Sequence, residues 1–209
     1  MDYRKHLLAP YLDSLTRSNE YSQEQQEQEI ELTYYTVLTD LEDQLSKAPQ
    51  REYHEQFERM FFDESGELLC FIRSRQIDHG ENYELTIKQK IPGIDGRRET
   101  SVSSNHDMHE LMREIADRRF RKVRHFFPTE QRHTTEGESN PLIWEVDAYL
   151  LEDGGFDPMV KIDLELPSIQ TVAPSLPFKI DDVIDESTDL TEEQKEQIDA
   201  FWKRTQLKD

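Results

Sequence analysis

A succession of eight strand-like segments is the feature that most restricts the fold of this chain. The segments span 27–38, 56–63, 67–77, 82–91, 97–103, 120–127, 142–150 and 158–166. The stretches between them place Gly or Pro beside Asp, Asn or Ser, as in "DESGE" and "DHGEN", which is typical of turns. Helical spacing of apolar residues interrupts the succession only at 39–48, 105–119 and 191–206. The sequence therefore predicts an α+β fold dominated by antiparallel strands.

Charged residues occupy every second position in several of these segments. In "QEIELTYY", Glu29 and Glu31 alternate with Ile30 and Leu32. Because successive side chains of a strand point to opposite faces, such a segment has one charged face and one apolar face. The pattern recurs in "FIRSR", "YELTIKQK", "RRETS", "WEVDAYL" and "VKIDLEL". Cationic strands thus lie between carboxylate-bearing strands near the two ends of the array.

Two geometries explain this alternation. In the first, the charged faces contact solvent over an apolar core, as in a one-sided antiparallel sheet. In the second, the sheet closes into a barrel with a charged interior, and helices cover its apolar exterior. A buried set of Lys and Arg must be paired or must bind an anion, so the second geometry implies a ligand.

Composition limits the classes of partner. The chain has 209 residues and a formal net charge of −20, so we expect no binding to duplex DNA. Residues 68–132 nevertheless contain 13 Lys or Arg against 10 Asp or Glu, which indicates local anion binding. The lone Cys70 permits no intrachain disulfide. Since the sequence has no long apolar run, we expect a cytoplasmic protein without a membrane partner.

The chain is long enough for one domain with short terminal additions. We divide it into an N-terminal helical extension at 1–26, a strand-rich domain at 27–180 and a C-terminal helical segment at 181–209. Thr191 and Gln194 form a capping box at the start of the last helix. His106 and His109 in "HDMHE" have a spacing that could bind a metal, but a solvated helix surface is the better interpretation.

The ordered charged motifs resemble those of the CYTH superfamily, the triphosphate tunnel metalloenzymes. The superfamily's first-strand signature is E-x-E-x-K, and the matching residues are Glu29, Glu31 and Thr33, so a threonine replaces the lysine. Later motifs match in chain order: Arg73 with Arg75, Thr86 with Lys88, Arg97 with Glu99, Lys122 with Arg124, Asp147, and Asp163 with Glu165. The resemblance covers roughly residues 27–166 and implies a closed antiparallel eight-stranded β-barrel with helices outside. In the strand at 120–127, a one-residue change of register would instead turn Arg121 and His125 inward.

The resemblance also implies a function and a set of site residues. The expected function is divalent-metal-dependent hydrolysis of inorganic triphosphate, a nucleoside triphosphate or an RNA 5'-triphosphate. The expected ligands of Mg²⁺ or Mn²⁺ are Glu29, Glu31, Asp163 and Glu165. The expected phosphate-binding residues are Arg73, Arg75, Lys88, Lys90, Arg97, Lys122 and Arg124. The expected catalytic carboxylates are Glu29, Glu31, Glu99 and Asp147.

Three alternatives remain at this level. A noncatalytic module that binds a triphosphate, a nucleotide or an RNA end is one, and Thr33 in place of the signature lysine supports it. A class IV-like adenylate cyclase is the second, with a ribose hydroxyl as the nucleophile. The third is an interaction protein whose charged strand faces are solvated.

Overall fold

The computed structural model describes residues 30–90, 97–135, 138–167, 171–178, 180 and 182–208. The strands are β1 (Ile30–Val37), β2 (Gln50–Phe62), β3 (Leu68–Ile77), β4 (Asn82–Lys90), β5 (Arg97–Ser103), β6 (Arg118–Thr135), β7 (Glu138–Leu150), β8 (Phe156–Leu166) and β9 (Ile184–Asp185). The helices are α1 (Leu41–Leu45), α2 (His106–Ile115) and α3 (Glu192–Thr205). Each of the eight predicted strands is present. The predicted helix at 1–26 and the residue Glu29 lie outside the described residues, and the division into three parts stays a prediction.

The strands form one antiparallel sheet in the order β5-β4-β3-β2-β6-β7-β8-β1-β9. Among the described residues, no ladder of backbone hydrogen bonds joins β5 to β1 or β9, so the predicted closed barrel is not closed by strand pairing. One reason is that β9 pairs with β1 at Tyr34 and Tyr35 and occupies part of the edge that closure would need. The sheet is therefore curved and antiparallel, with an open seam between its first and last strands.

Helices and a loop cover the apolar face of the sheet. Met112 of α2 packs against Phe57, Ile72 and Leu85 of β2, β3 and β4. Ile198 and Phe201 of α3 pack with residues of β1, β6, β7 and β8. A third cluster joins α1 and the segment 171–180 to the outward-facing side chains of β7 and β8, including the buried Trp144. The first and third clusters thus lie outside the curved sheet, whereas α3 packs on inner-facing residues such as Tyr149, and its Trp202 lines the cavity described below.

The helix α3 is attached to the sheet by a cap and an ion pair. The capping box of Thr191 and Gln194 forms as predicted. Near the other end, the Arg204 guanidinium donates from Nε to Asp157 Oδ2 over 2.7 Å. Asp157 is fully buried, and its Oδ1 also accepts a hydrogen bond from the Met159 backbone N–H. This carboxylate does not line the cavity described below, so it offers a control position for substitutions of the buried carboxylates that do.

His109 corrects one interpretation of the sequence. His106 is exposed as expected, but His109 is 1% exposed and lies 2.8 Å from Ser74 Oγ through its Nδ1. Its Nε2 lies 3.7 Å from a Glu55 carboxylate oxygen. Although the residue types match a catalytic triad, Ser74 is fully buried and no substrate can reach its hydroxyl. The polar trio instead joins α2 to the outer face of β2 and β3.

Candidate functional site

The inner, charged face of the curved sheet surrounds a cavity of about 340 Å³. The predicted site residues that line it are Glu31, Arg73, Arg75, Lys88, Glu99, Lys122, Arg124, Asp147, Asp163 and Glu165. The charged strand faces therefore look at one another across a shared cavity. Glu31 and Glu165 are exposed, and the solvent-facing interpretation is wrong for the other residues of this set. Lys90 and Arg97 lie opposite each other in β4 and β5, but their side chains are outside the described part of the chain.

The register of β6 is the one that the motif implies. Lys122 and Arg124 line the cavity, and the Lys122 side chain is 2% exposed. Arg121 lies on the outer face, where its Nε is 3.4 Å from Glu55 Oε1. His125 is buried on that outer face beside α1. The neighbouring pairs Lys122 with Tyr149 and Arg124 with Asp147 fix this register against β7.

Asp147 is the central anion of the cavity. Its Oδ2 lies 2.5 Å from Lys122 Nζ, and Arg124 donates to both of its oxygens over 2.8 Å. The Asp147 side chain is 1% exposed. Burial raises the pKa of Asp147, but the charges of Arg124 and Lys122 outweigh burial and hold that pKa well below its ordinary value. Asp147 is therefore ionised and holds two cations in place.

Lys122 has a perturbed pKa for related reasons. Burial disfavours its ammonium form, and the nearby Arg124 guanidinium adds repulsion, so the pKa of Lys122 falls to about 7. The attraction of Asp147 opposes this shift only in part. Lys122 consequently loses its proton more easily than an ordinary lysine.

A second charged cluster lies on β3, β4 and β5. Lys88 Nζ is 2.6 Å from Glu99 Oε2, and Arg73 Nη2 is 3.7 Å from Glu99 Oε1. Arg75 pairs with Glu84 of β4. Lys88 Nζ also lies 3.6 Å from Glu31 Oε2, so a side-chain contact spans the seam that strand pairing leaves open. Two donors of this second cluster remain unused, because the buried Nε atoms of Arg73 and Arg75 have no hydrogen-bond partner among the described residues.

The sequence assigned no role to several other polar residues of the cavity, among them Lys161, Glu145, Gln56 and Glu58. Glu145 pairs with Arg124, and Gln56 Nε2 donates to Glu58 Oε1 over 2.8 Å. Gln56 and Glu58 flank the outward-facing Phe57 of β2, and Lys161 is two residues from Asp163 in β8. Alternation along each strand was thus the signal that could have placed them in the cavity.

Three of the four predicted metal ligands lie in the described part of the chain, and these three do not form a group that fits a divalent ion. Glu31, Asp163 and Glu165 line the cavity, but no three His, Cys, Asp or Glu side chains of the described residues form a group that could hold a metal. Both Asp163 oxygens accept hydrogen bonds from Lys161 Nζ, over 2.6 and 2.5 Å, and Thr33 Oγ1 donates to Oδ1 over 2.8 Å. These bonds use three of the roughly four lone-pair sites of the Asp163 carboxylate and place an ammonium where a metal would bind.

Comparison with known proteins gives fold likenesses alone. No protein-family model matches the chain, and no curated protein matches it. No helix in the described ranges is long and apolar enough to cross a bilayer.

Three solved structures share part of the fold. HpAC1 from Hippeastrum, an adenylyl cyclase candidate described as having a dominant triphosphatase activity, has 19% identity and a TM-score of 0.39, covering 66% of this chain and 79% of its own. PH1012 from Pyrococcus horikoshii OT3 has 14% identity and a TM-score of 0.42, covering 84% and 90%. PH1819 from the same organism has 16% identity and a TM-score of 0.38, covering 65% and 77%. Likenesses of this size assign neither a family nor an activity to this chain.

Proposed function

We propose that the cavity binds the triphosphate group of a substrate and that the chain hydrolyses a phosphoanhydride bond of that group. The observation that carries this proposal is the pair of unused buried donors, Nε of Arg73 and Nε of Arg75, in a cavity with seven Lys or Arg side chains. A buried N–H group without a partner is costly, and phosphate oxygens would satisfy both. Guanidinium groups suit this ligand because their planar forks bind two oxygens at once.

The roles of the other residues follow from their contacts. Lys88, Lys122 and Arg124 would contact further phosphate oxygens. Asp147 would orient Lys122 and Arg124, and Glu99 would orient Lys88 and Arg73, because each carboxylate is bonded to both members of its pair or lies close to them. Such an array lowers the barrier to in-line attack by water, since it stabilises the charge on the phosphoryl and leaving-group oxygens.

The same cavity has eight carboxylates against its seven cations, so its charges are largely compensated before a ligand enters. A triphosphate must therefore exchange places with carboxylates as partners of the cations. This requirement favours a compact, highly charged group over a single phosphate, because several exchanged ion pairs must be replaced together.

The test is calorimetric titration with tripolyphosphate, ATP and a triphosphorylated RNA 5' end, each with EDTA and with Mg²⁺ or Mn²⁺. Phosphate release is followed in the same samples. Arg73→Met should weaken triphosphate binding about tenfold or more, since it removes a charge-assisted contact. The matched control is Arg121→Met, which removes an arginine from the outer face of the same sheet and should leave binding unchanged. Equal effects of the two variants would refute the site.

One observation favours a second function, capture of a triphosphate without turnover. Asp163 is a predicted metal ligand, yet Lys161 and Thr33 engage its oxygens. If these contacts persist with substrate bound, the site has cations for binding but no metal at Asp163 to activate water. Tight binding without phosphate release, with or without Mn²⁺, would support capture over hydrolysis.

A further inference from the structure

Lys161 lies among the carboxylates that the motif assigns to a metal. Its Nζ donates to both oxygens of Asp163, and its side chain is 18% exposed. Burial raises the pKa of Glu31, a second predicted ligand, but the ammonium groups of Lys161 and Lys88 outweigh burial and lower it. One ammonium thus stabilises two of the carboxylates that would otherwise surround a divalent ion.

The strand register explains how Lys161 reaches this place. β1 and β8 pair so that Thr33 is opposite Asp163 and Tyr35 is opposite Lys161. Thr33 is the position at which the motif has a lysine, and here its hydroxyl donates to Asp163. Lys161 comes from the neighbouring strand, two residues along, and brings a positive charge to the same carboxylate. The cation missing from β1 is therefore supplied by β8.

From this arrangement we propose that the Lys161 ammonium is a built-in substitute for a divalent cation at Asp163 and a direct ligand of the bound triphosphate. This inference rests on the proposed function, because it assigns a residue to the same ligand. An ammonium has three N–H donors, and Asp163 takes two of them. A phosphate oxygen can accept the third. Triphosphate binding then needs no metal bridge at Asp163.

The first measurement uses the wild-type chain and tripolyphosphate in EDTA and in Mn²⁺. We expect the two dissociation constants to agree within about threefold, because the fixed ammonium does the work of the ion. Binding that disappears in EDTA and returns with Mn²⁺ would overturn the proposal without any variant.

The second measurement uses Lys161→Met and Lys161→Gln, with Lys195→Met as a control on the exposed face of α3. In EDTA, the Lys161 variants should bind tripolyphosphate about tenfold to a hundredfold more weakly, because a charge-assisted hydrogen bond is lost. Lys161→Arg keeps the charge and should bind like the wild type. Circular dichroism shows which variants are folded, and the wild-type measurement decides the question if none of them is.

Titration with Mn²⁺ alone separates this inference from the proposed function. Removing the ammonium frees Asp163, so the Lys161→Met variant should bind Mn²⁺ about tenfold more tightly than the wild type, as read by the loss of the free-ion electron paramagnetic resonance signal. A folded variant with unchanged Mn²⁺ affinity would refute the substitution. If no form binds tripolyphosphate under any condition, the proposed function fails, whereas the Mn²⁺ result still reports on Lys161 and Asp163.

Discussion

Asp147→Asn tests whether the central carboxylate holds the cation array together. The substitution keeps the shape of the side chain but removes the charge that faces Lys122 and Arg124. Breaking a buried ion pair from one side costs about 3 to 5 kcal/mol of unfolding free energy. Arg124 keeps its pairing with Glu145, and Lys122 can lose its proton because its pKa is about 7. We therefore expect the lower end, a loss of about 3 kcal/mol.

Urea unfolding followed by tryptophan fluorescence measures this loss, since Trp144 is buried in the core. Tripolyphosphate at about 100 times its dissociation constant stabilises a protein by about 2.7 kcal/mol. In the variant the ligand no longer competes with the Asp147 carboxylate, so it should bind more tightly than in the wild type. At one fixed tripolyphosphate concentration, the gain in unfolding free energy should consequently be larger for Asp147→Asn.

The matched control is Asp157→Asn. Asp157 is also fully buried and bonded to an arginine, but it does not line the cavity, and its partner is Arg204 of α3. Its loss should destabilise the chain by about 2 to 3 kcal/mol without changing the gain from tripolyphosphate. The reasoning would be refuted if Asp147→Asn cost less than about 1 kcal/mol, or if the ligand stabilised both variants equally.

Two further predictions concern pH. Because Lys122 is protonated below its pKa of about 7 and neutral above it, the affinity for tripolyphosphate should fall about tenfold from pH 6 to pH 8. The affinity of Lys122→Met should fall less over the same range. A wild-type affinity that rises over this range would contradict the assignment. Burial, together with the charges of Lys122, Arg124 and Arg75, lowers the pKa of His54 from 6.5 to about 2, so the folded chain keeps His54 neutral. The unfolded chain binds a proton at His54 below about pH 6.5, so the unfolding free energy decreases as the pH is lowered below that value. From pH 7 to pH 5, the wild type should lose about 2 kcal/mol more unfolding free energy than His54→Gln, as measured by urea unfolding. Equal losses would show that His54 is not buried in its neutral form.

The strands and the inward-facing residues could be predicted because alternation is a local property. A residue such as Lys88 or Asp163 is placed on a face by its own strand and its immediate neighbours. The cavity was one of the two geometries that the charged faces allowed, and the apolar outer faces of β2, β3 and β4 matched the stripe of α2. The prediction was weaker where two faces of one strand are both charged, and "RFRKVRHFF" needed the pairing of β6 with β7 to fix Lys122 inside.

The remainder depends on contacts between distant segments. The short strand β9 contains two residues in an acidic stretch, and no local pattern shows that it pairs with β1. Likewise, His109 has the spacing of a surface residue, and its burial results from Ser74 and Glu55 on strands far away in the sequence. The engagement of Asp163 by Lys161 depends on rotamers across the site, which alternation alone does not determine.

At the open seam between β5 and β1, a side-chain contact takes the place of the strand pairing that a closed barrel would have. Lys88 Nζ of β4 lies 3.6 Å from Glu31 Oε2 of β1 across this seam. A ladder of hydrogen bonds resists separation along its whole length, whereas a single ion pair 3.6 Å long with a partly exposed carboxylate contributes little. Separation of the two margins of the sheet would thus break this ion pair and no described strand pairing. The end of a bulky polymer could then enter the cavity sideways through the open seam, whereas a closed barrel would admit it only through an open end.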